Sequence, residues 1–247
     1  MPLPKPTLQK SIFRIDFPPR LEFYDLLYPA SEKLNEYKDW ETDKLSLALM
    51  DLDHHCSVIL KHNSISYEQD SDDKKLLEER LQKLILTITE VLKIKSMTRI
   101  GFREQYLIPS DLDFNTLTKL LEIKLFNQEP MKKIFPQIIT DLLYRVYFLE
   151  DQKNIYVTAG AVRKQEIPNH IRYNIQKHLR ASDSLIEFQK IINAYPEVAL
   201  LVDLDVHTAK IKDVEEIIPF KGFARHQIDS ILTKFNTYMF STKVSTS

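Results

Sequence analysis

The chain has 247 residues, of which 43% are hydrophobic and 28% charged, and its 34 Lys and Arg residues nearly balance 35 Asp and Glu residues. This composition is typical of a folded protein and contains no basic excess that would draw the whole chain onto nucleic acid or an anionic membrane. The only three glycines stand far apart, which excludes glycine-rich phosphate loops and the Gly-x-Ser-x-Gly elbow of many hydrolases.

A single cysteine, Cys56, excludes an intrachain disulfide and a cysteine-based zinc cluster, and it fits a reducing compartment. The first residues lack the apolar segment of a signal peptide, and no apolar run is long enough to span a bilayer. We therefore expect a cytoplasmic protein that is not associated with a membrane. No cofactor is expected, because no cofactor-binding motif occurs.

Proline-rich residues 1–10 are predicted to form an extended N-terminal arm, and residues 11–97 a first α+β half. Alternating apolar residues predict a strand at 11–17, and helical spacing predicts a helix from Phe23. Three further strands at 44–52, 56–61 and 64–69 form a predicted meander. A helix is predicted at 72–95, with Ser71 as its N-cap, because Leu77, Leu81 and Leu84 begin a regular apolar stripe.

The second half, residues 98–240, shows the same kinds of pattern in the same order. A strand at 98–108 is followed by a helix at 114–126 with Asp113 as its N-cap, and by a hairpin at 142–149 and 154–162. A helix near 184–194, an apolar strand at 198–206 and a last helix complete this half. Residues 241–247 are predicted to form a flexible tail.

Both halves thus read as strand, helix, three strands and helix. This order predicts an α+β fold built from two tandem repeats, with a mainly antiparallel sheet and helices packed on one of its faces. The two halves could also form one domain.

A ligand or partner site is predicted at Arg99, Gly101 and Arg103, which share one face of a strand. Glycine within a strand often marks a bulge or a close approach of another backbone, and the forked donors of arginine suit phosphate and carboxylate groups. Arg145 is a candidate for the same surface. Alternatively, these arginines pair with acidic residues of neighbouring strands.

A short pattern occurs twice and offers candidate metal ligands. Asp51, Asp53 and His55 form one copy, and Asp203, Asp205 and His207 form the other. Side chains at such positions share one face of a strand, and carboxylate and imidazole groups are both metal ligands. The alternative is a solvated strand face, because the opposite face is apolar in both copies, with Met50 and Leu52 in one and Val202 and Leu204 in the other.

The sequence resembles a sporadically distributed, uncharacterised prokaryotic protein family of about 250 residues. The residues that carry this resemblance are Phe17-Pro18 after the first strand, Gly101 and Arg103, Asp203 and Asp205, and the late Phe235. The resemblance covers most of the chain and supplies no activity or catalytic residues. It implies a gene that travels in mobile or defence-related clusters.

Three functions remain open at the level of sequence. The absence of catalytic motifs favours a non-enzymatic accessory or protein-interaction module that binds a protein partner or a second copy of itself. A metal-dependent phosphoesterase or nuclease would use one of the two Asp-Leu-Asp segments. A nucleic-acid-binding module would place Arg99 and Arg103 on phosphates, although the balanced charge does not favour it.

Overall fold

The computed structural model describes residues 3–43, 46–126, 141–150, 152–171, 189–208 and 212–241. The strands are β1 (Thr7–Asp16), β2 (Asp39–Thr42), β3 (Ser46–Asp51), β4 (Cys56–Lys61), β5 (Ser64–Gln69), β6 (Ser96–Met97), β7 (Arg99–Pro109), β8 (Leu143–Glu150), β9 (Lys153–Arg163), β10 (Val198–Thr208) and β11 (Lys212–Asp213). The helices are α1 (Phe23–Lys33), α2 (Lys74–Leu86), α3 (Phe114–Leu125), α4 (Ile167–His170) and α5 (Ile217–Phe240). Residues 189–193 are also helical, and α2 continues into a π-helical turn, Thr87–Val91.

Nine strands form one sheet in the order β2-β3-β4-β5-β1-β7-β10-β9-β8, and every neighbouring pair is antiparallel. The prediction of an α+β fold with a mainly antiparallel sheet is therefore confirmed. In the first half, the last strand of the meander lies beside the first strand, so that β5 pairs with β1. In the second half, β10 pairs with β7 in the same way. The long strands β1 and β7 pair with each other at the centre, so the sheet is continuous across the two halves.

The main core lies on the side of the sheet that α2, α3 and α5 cover. Side chains alternate along each strand, and on this side the central strands bury Phe13, Phe102 and Leu204 completely. The apolar stripe of α2, which begins at Leu77 and Leu81, packs into the same cluster. The 3.6-residue period predicted from the sequence therefore identifies the buried side of this helix.

A second, smaller apolar cluster lies on the opposite side of the sheet. It is formed by Leu107, Val162, Ile167, Ile171, Tyr195, Ala199 and Leu201. Helix α4 and the segment around Tyr195 thus cover one end of that side, and the prediction that helices pack on one face only is wrong at this end. The rest of this side carries no helix in the part of the chain that the structure describes, and we call it the open face.

Several element boundaries differ from those predicted. Strand β1 begins at Thr7 and not at residue 11. Residues that were predicted to belong to the N-terminal arm pair with β7, and the register shifts between Leu8 and Lys10. Asp73, not Ser71, caps α2, since its carboxylate accepts a hydrogen bond from the Leu76 amide at 2.9 Å. The predicted cap of α3 is confirmed by the bond from the Thr116 amide to Asp113. The predicted helix at 184–194 and the tail lie mostly outside the described residues.

Candidate functional site

The open face displays its side chains in rows that run across the strands. One row runs from Arg145 on β8 through Thr158 and Asp203 to Gln105 on β7. The next row runs from Tyr147 through Tyr156, Asp205 and Arg103 to Ile12, and a third from Leu149 through Asn154, His207 and Gly101 to Arg14. The sequence-predicted residues of β7, β8 and β10 therefore share one surface.

Arg103 is held by a two-point ion pair with Asp203 on the neighbouring strand. The guanidinium Nε donates to Oδ1 of Asp203 at 2.8 Å, Nη2 donates to Oδ2, and the Gln105 amide donates to Oδ2 at 3.1 Å. These hydrogen bonds raise the pKa of Arg103, since they favour its charged form. The Arg103 side chain is 42% exposed, so its outer edge is still accessible to a partner.

Arg99 is more loosely paired than Arg103. Its Nη2 lies 3.5 Å from Asp205 Oδ2, and its Nη1 lies 4.0 Å from Asp16 Oδ2. Its Nε is buried and has no hydrogen-bond partner among the described residues, and the same holds for Nδ1 of His207. The interpretation that the arginines pair with acids of neighbouring strands therefore applies to both Arg99 and Arg103.

Gly101 lies within a continuous part of the sheet. Its register with β1 and β10 is unbroken, so it marks no bulge, and its φ is not positive. An added Cβ would lie at an ordinary 3.5 Å from His207 Cβ and 3.7 Å from Nη2 of Arg99. The glycine thus leaves a shallow space beside the Arg99 guanidinium, and no close approach of another backbone requires it.

Aromatic rings form a line beside these ion pairs. The Tyr147 and Tyr156 ring centroids are 4.7 Å apart, and the Tyr156 ring stacks on the His207 imidazole with centroids 5.3 Å apart and an interplanar angle of 7°. Tyr147 is 53% and Tyr156 37% exposed. Large aromatic rings that stay exposed on a rigid sheet can stack on a ligand or bury against a protein partner.

Arg145 is exposed on edge strand β8 and makes no ion pair or side-chain hydrogen bond with the residues that the structure describes. It lies beside Tyr147 on the open face. Among the described residues, no carboxylate therefore neutralises its charge, in contrast to that of Arg103.

The first Asp-Leu-Asp segment does not form the predicted strand face. Strand β3 ends at Asp51, and residues 52–55 form a turn in which His55 has a φ of 54°. Asp51 is buried towards α2, where Arg80 Nη2 lies 2.6 Å from its Oδ2, whereas the exposed Asp53 lies near Lys38. Asp51, Asp53 and His55 therefore do not converge.

The second segment keeps Asp203, Asp205 and His207 on one face of β10, as predicted. However, both oxygens of Asp203 accept hydrogen bonds from Arg103, and His207 Nδ1 lies 3.6 Å from Asp205 Oδ1. Across the residues that the structure describes, no group of three or more His, Cys, Asp and Glu side chains is placed to hold a metal ion.

Sequence reasoning missed Tyr147 and Tyr156 as surface residues. Their strands were predicted, but strand β8 carries Tyr144, Val146 and Phe148 on its other side, so both of its sides are equally apolar. The alternation that separates a buried side from an exposed one is therefore absent from β8.

Comparison of the sequence with protein-family models gave no match. No curated protein matches the chain either. Within the described ranges, no helix is both long and apolar enough to cross a membrane.

Proposed function

We propose that this chain is a protein-interaction module whose partner binds the Arg–Tyr patch, which we define as Arg14, Arg103, Arg145, Tyr147 and Tyr156 on the open face. The observation that carries this proposal is the joint exposure of tyrosine and arginine side chains on a rigid sheet. Tyrosine and arginine are the residue types most enriched among those that dominate binding energy at protein interfaces.

The distribution of charge supports a protein partner over a polyanion. Asp16, Asp203 and Asp205 lie among the arginines of the open face, at distances that pair them with Arg14, Arg103 and Arg99. A surface with both signs of charge complements another mixed surface, whereas its carboxylates would repel a phosphate backbone.

Capture of a partner by the tagged full chain from cell extract tests this proposal. We expect the Arg145→Ala/Tyr147→Ala variant to bind the recovered partner at least about 30-fold more weakly than the wild type, because the loss of even one interface hot spot costs about 2 kcal/mol or more. Tyr28→Ala is the matched control, since Tyr28 is 71% exposed but lies on α1. Equal binding by both variants, or no partner captured by the wild type, would contradict the proposal.

A second candidate is a module that binds single-stranded nucleic acid. The line of Tyr147, Tyr156 and His207 favours it, because bases stack on exposed aromatic rings without regard to sequence. Fluorescence anisotropy with a labelled oligothymidine should then show binding that weakens steeply with salt. Tyr147→Ala should weaken this binding roughly 10-fold. Absence of binding at low salt would exclude this candidate.

We also propose the finer features expected from the sequence. An internal tandem repeat is supported by the parallel order of elements, since each half contains a long strand, a helix and a meander that returns to that strand. A cytoplasmic location is supported by the buried, lone Cys56. A role in mobile or defence-related prokaryotic gene clusters rests on the sequence resemblance alone.

A further inference from the structure

In the sheet that the structure describes, strand β8 is an edge strand with little of the usual protection against pairing, since its only charged residues are Arg145 and the terminal Glu150. It is eight residues long, contains no proline or lysine, and pairs with β9 in an unbroken register. Within the part of the chain that the structure describes, β9 is its only neighbour in the sheet. Soluble proteins normally protect such edges with short strands, charges, proline or bulges.

The opposite edge of the same sheet has that protection. Strand β2 is only four residues long, and two of them, Asp39 and Glu41, are acidic. Strand β8 instead exposes Leu143, Tyr147 and Leu149 at 56%, 53% and 64%. Strand β2 also exposes Trp40, at 66%, but β8 is twice as long and exposes three large apolar side chains, so β8 is the better suited of the two edges to pair with another strand.

The sequence of β8 is complementary to itself when two copies run antiparallel. With Val146 on the twofold axis, Leu143 of one copy lies opposite Leu149 of the other, and Arg145 lies opposite Tyr147. Residues that face each other in an antiparallel pair share one face of the sheet, so open-face side chains meet open-face side chains. The Arg145–Tyr147 pairs place a cation beside an aromatic ring, which is an attractive arrangement.

Neighbouring registers are less favourable. A shift of the pairing by two residues in one direction places Arg145 opposite Arg145 of the other copy, and like charges directly opposite each other are destabilising. A shift in the other direction places Glu150 opposite Tyr144 and leaves Arg145 opposite Leu149. Glu150 also accepts a hydrogen bond from Gln227 on α5 at 2.9 Å, which holds it on the helix side.

We infer that the protein forms a homodimer in which β8 of one copy pairs antiparallel with β8 of the other about Val146, so that the sheet continues from one copy into the next. This inference does not rest on the proposed function, because no partner is needed for it, although Arg145 and Tyr147 belong both to the Arg–Tyr patch and to the pairing of the two copies. The backbone edge and the contact between Leu143 and Leu149 carry it independently of the patch. A symmetric pair of copies would also place two Arg–Tyr patches side by side on one extended face.

Sedimentation equilibrium of the full chain over a range of concentrations tests the dimer. The wild type should approach twice the chain mass of 29.1 kDa at high micromolar concentration. Two double variants at the same exposed positions form a matched pair. Leu143→Lys/Leu149→Lys places two positive charges opposite each other at each of two symmetry-related contacts, and it should weaken dimerisation roughly 10-fold or more. Leu143→Lys/Leu149→Glu places a positive charge opposite a negative charge at the same two contacts, and this variant should remain a dimer.

A wild type that stays at the mass of one chain throughout the concentration range would overturn the inference. So would a dimer that both double variants keep, since its interface would then lie elsewhere, or one that both lose equally, since positions 143 and 149 would then not face each other. Circular dichroism of both variants checks that they remain folded. Positions 143 and 149 lie outside the Arg–Tyr patch, so partner capture by these variants shows whether loss of the dimer and loss of the partner are separate events.

Discussion

Replacing Arg80 with alanine is expected to lower the free energy of unfolding by about 3 kcal/mol, because it leaves the buried carboxylate of Asp51 without its cation. Arg80 Nη2 lies 2.6 Å from Asp51 Oδ2, and Nη1 lies 2.9 Å from Glu36 Oε1. Its guanidinium also lies over the Tyr37 ring, 5.0 Å from the centroid. The Asp51 side chain is only 6% exposed, and its remaining partners are the ring Nδ1 of His54 at 2.9 Å and the His54 backbone N–H at 3.3 Å.

Urea denaturation of Arg80→Ala measures this loss. Lys75→Ala is the control, since Lys75 is a cation of the same helix whose side chain is 88% exposed and whose pair with Glu79 is 3.8 Å long. Adding Asp51→Asn to Arg80→Ala should recover part of the stability, because the buried charge is removed together with its partner. Similar free energies of unfolding for Arg80→Ala and Lys75→Ala would contradict this expectation, because the Arg80–Asp51 ion pair would then not stabilise the fold.

A Glu104→Gln variant is expected to gain stability relative to the wild type as the pH rises from the unfolded-state pKa of Glu104 through its raised folded-state pKa, and to lose that gain in acid. Glu104 is 4% exposed on the helix side of β7, where it accepts hydrogen bonds from Tyr106 and, at 3.4 Å, from Ser11. Burial raises the pKa of Glu104 above 4.5, and this effect exceeds the opposing effects of the Tyr106 hydrogen bond and of the Arg225 charge.

The direction of the pH dependence follows from this raised pKa. Folding favours the protonated carboxyl, so its contribution to stability is fully present below the unfolded-state pKa and is lost as the pH rises through the folded-state pKa. The loss is about 1.4 kcal/mol for each unit by which the pKa is raised. Glutamine carries no charge at any pH, so the stability difference between variant and wild type should grow with pH.

Unfolding by urea at a series of pH values checks this expectation. Taking the difference between variant and wild type cancels the titration of other groups. Glu79→Gln is the matched control, because the Glu79 side chain is 62% exposed. A stability difference for Glu104→Gln that stays constant with pH would contradict the raised pKa.

The elements that the sequence predicts well are those with a strong apolar period. The stripe that begins at Leu77 and the apolar run from Val198 predict α2 and β10, because burial on one or both sides leaves a direct mark on the sequence. Strand β2 was not predicted, since all four of its residues are exposed and the strand therefore shows no alternation of buried apolar and exposed polar residues. Helix α4, which covers one end of the side of the sheet opposite the main core, was not predicted for a similar reason, because four residues are too few to show a helical period.

The candidate site was predicted only in part. Arg99, Gly101 and Arg103 share a strand face as the two-residue period requires, but the acid that holds Arg103 lies 100 positions away in the chain. Local spacing cannot identify such a partner. The same limit explains why the first Asp-Leu-Asp segment was treated as equivalent to the second, although Asp51 faces α2 and Asp203 lies on the open face.

By itself, the sequence determined which glycine-dependent motifs the chain lacks and the side of each periodic element that is buried. Both follow from local properties, namely the scarcity of glycine and the spacing of apolar residues. Only the tertiary structure decided which carboxylates pair with Arg99 and Arg103, that the open face carries no helix among the described residues, and that β8 is an edge strand of the described sheet. These features depend on the register between strands that are distant in the chain. The spacing of residues along one strand does not identify the strand that pairs with it.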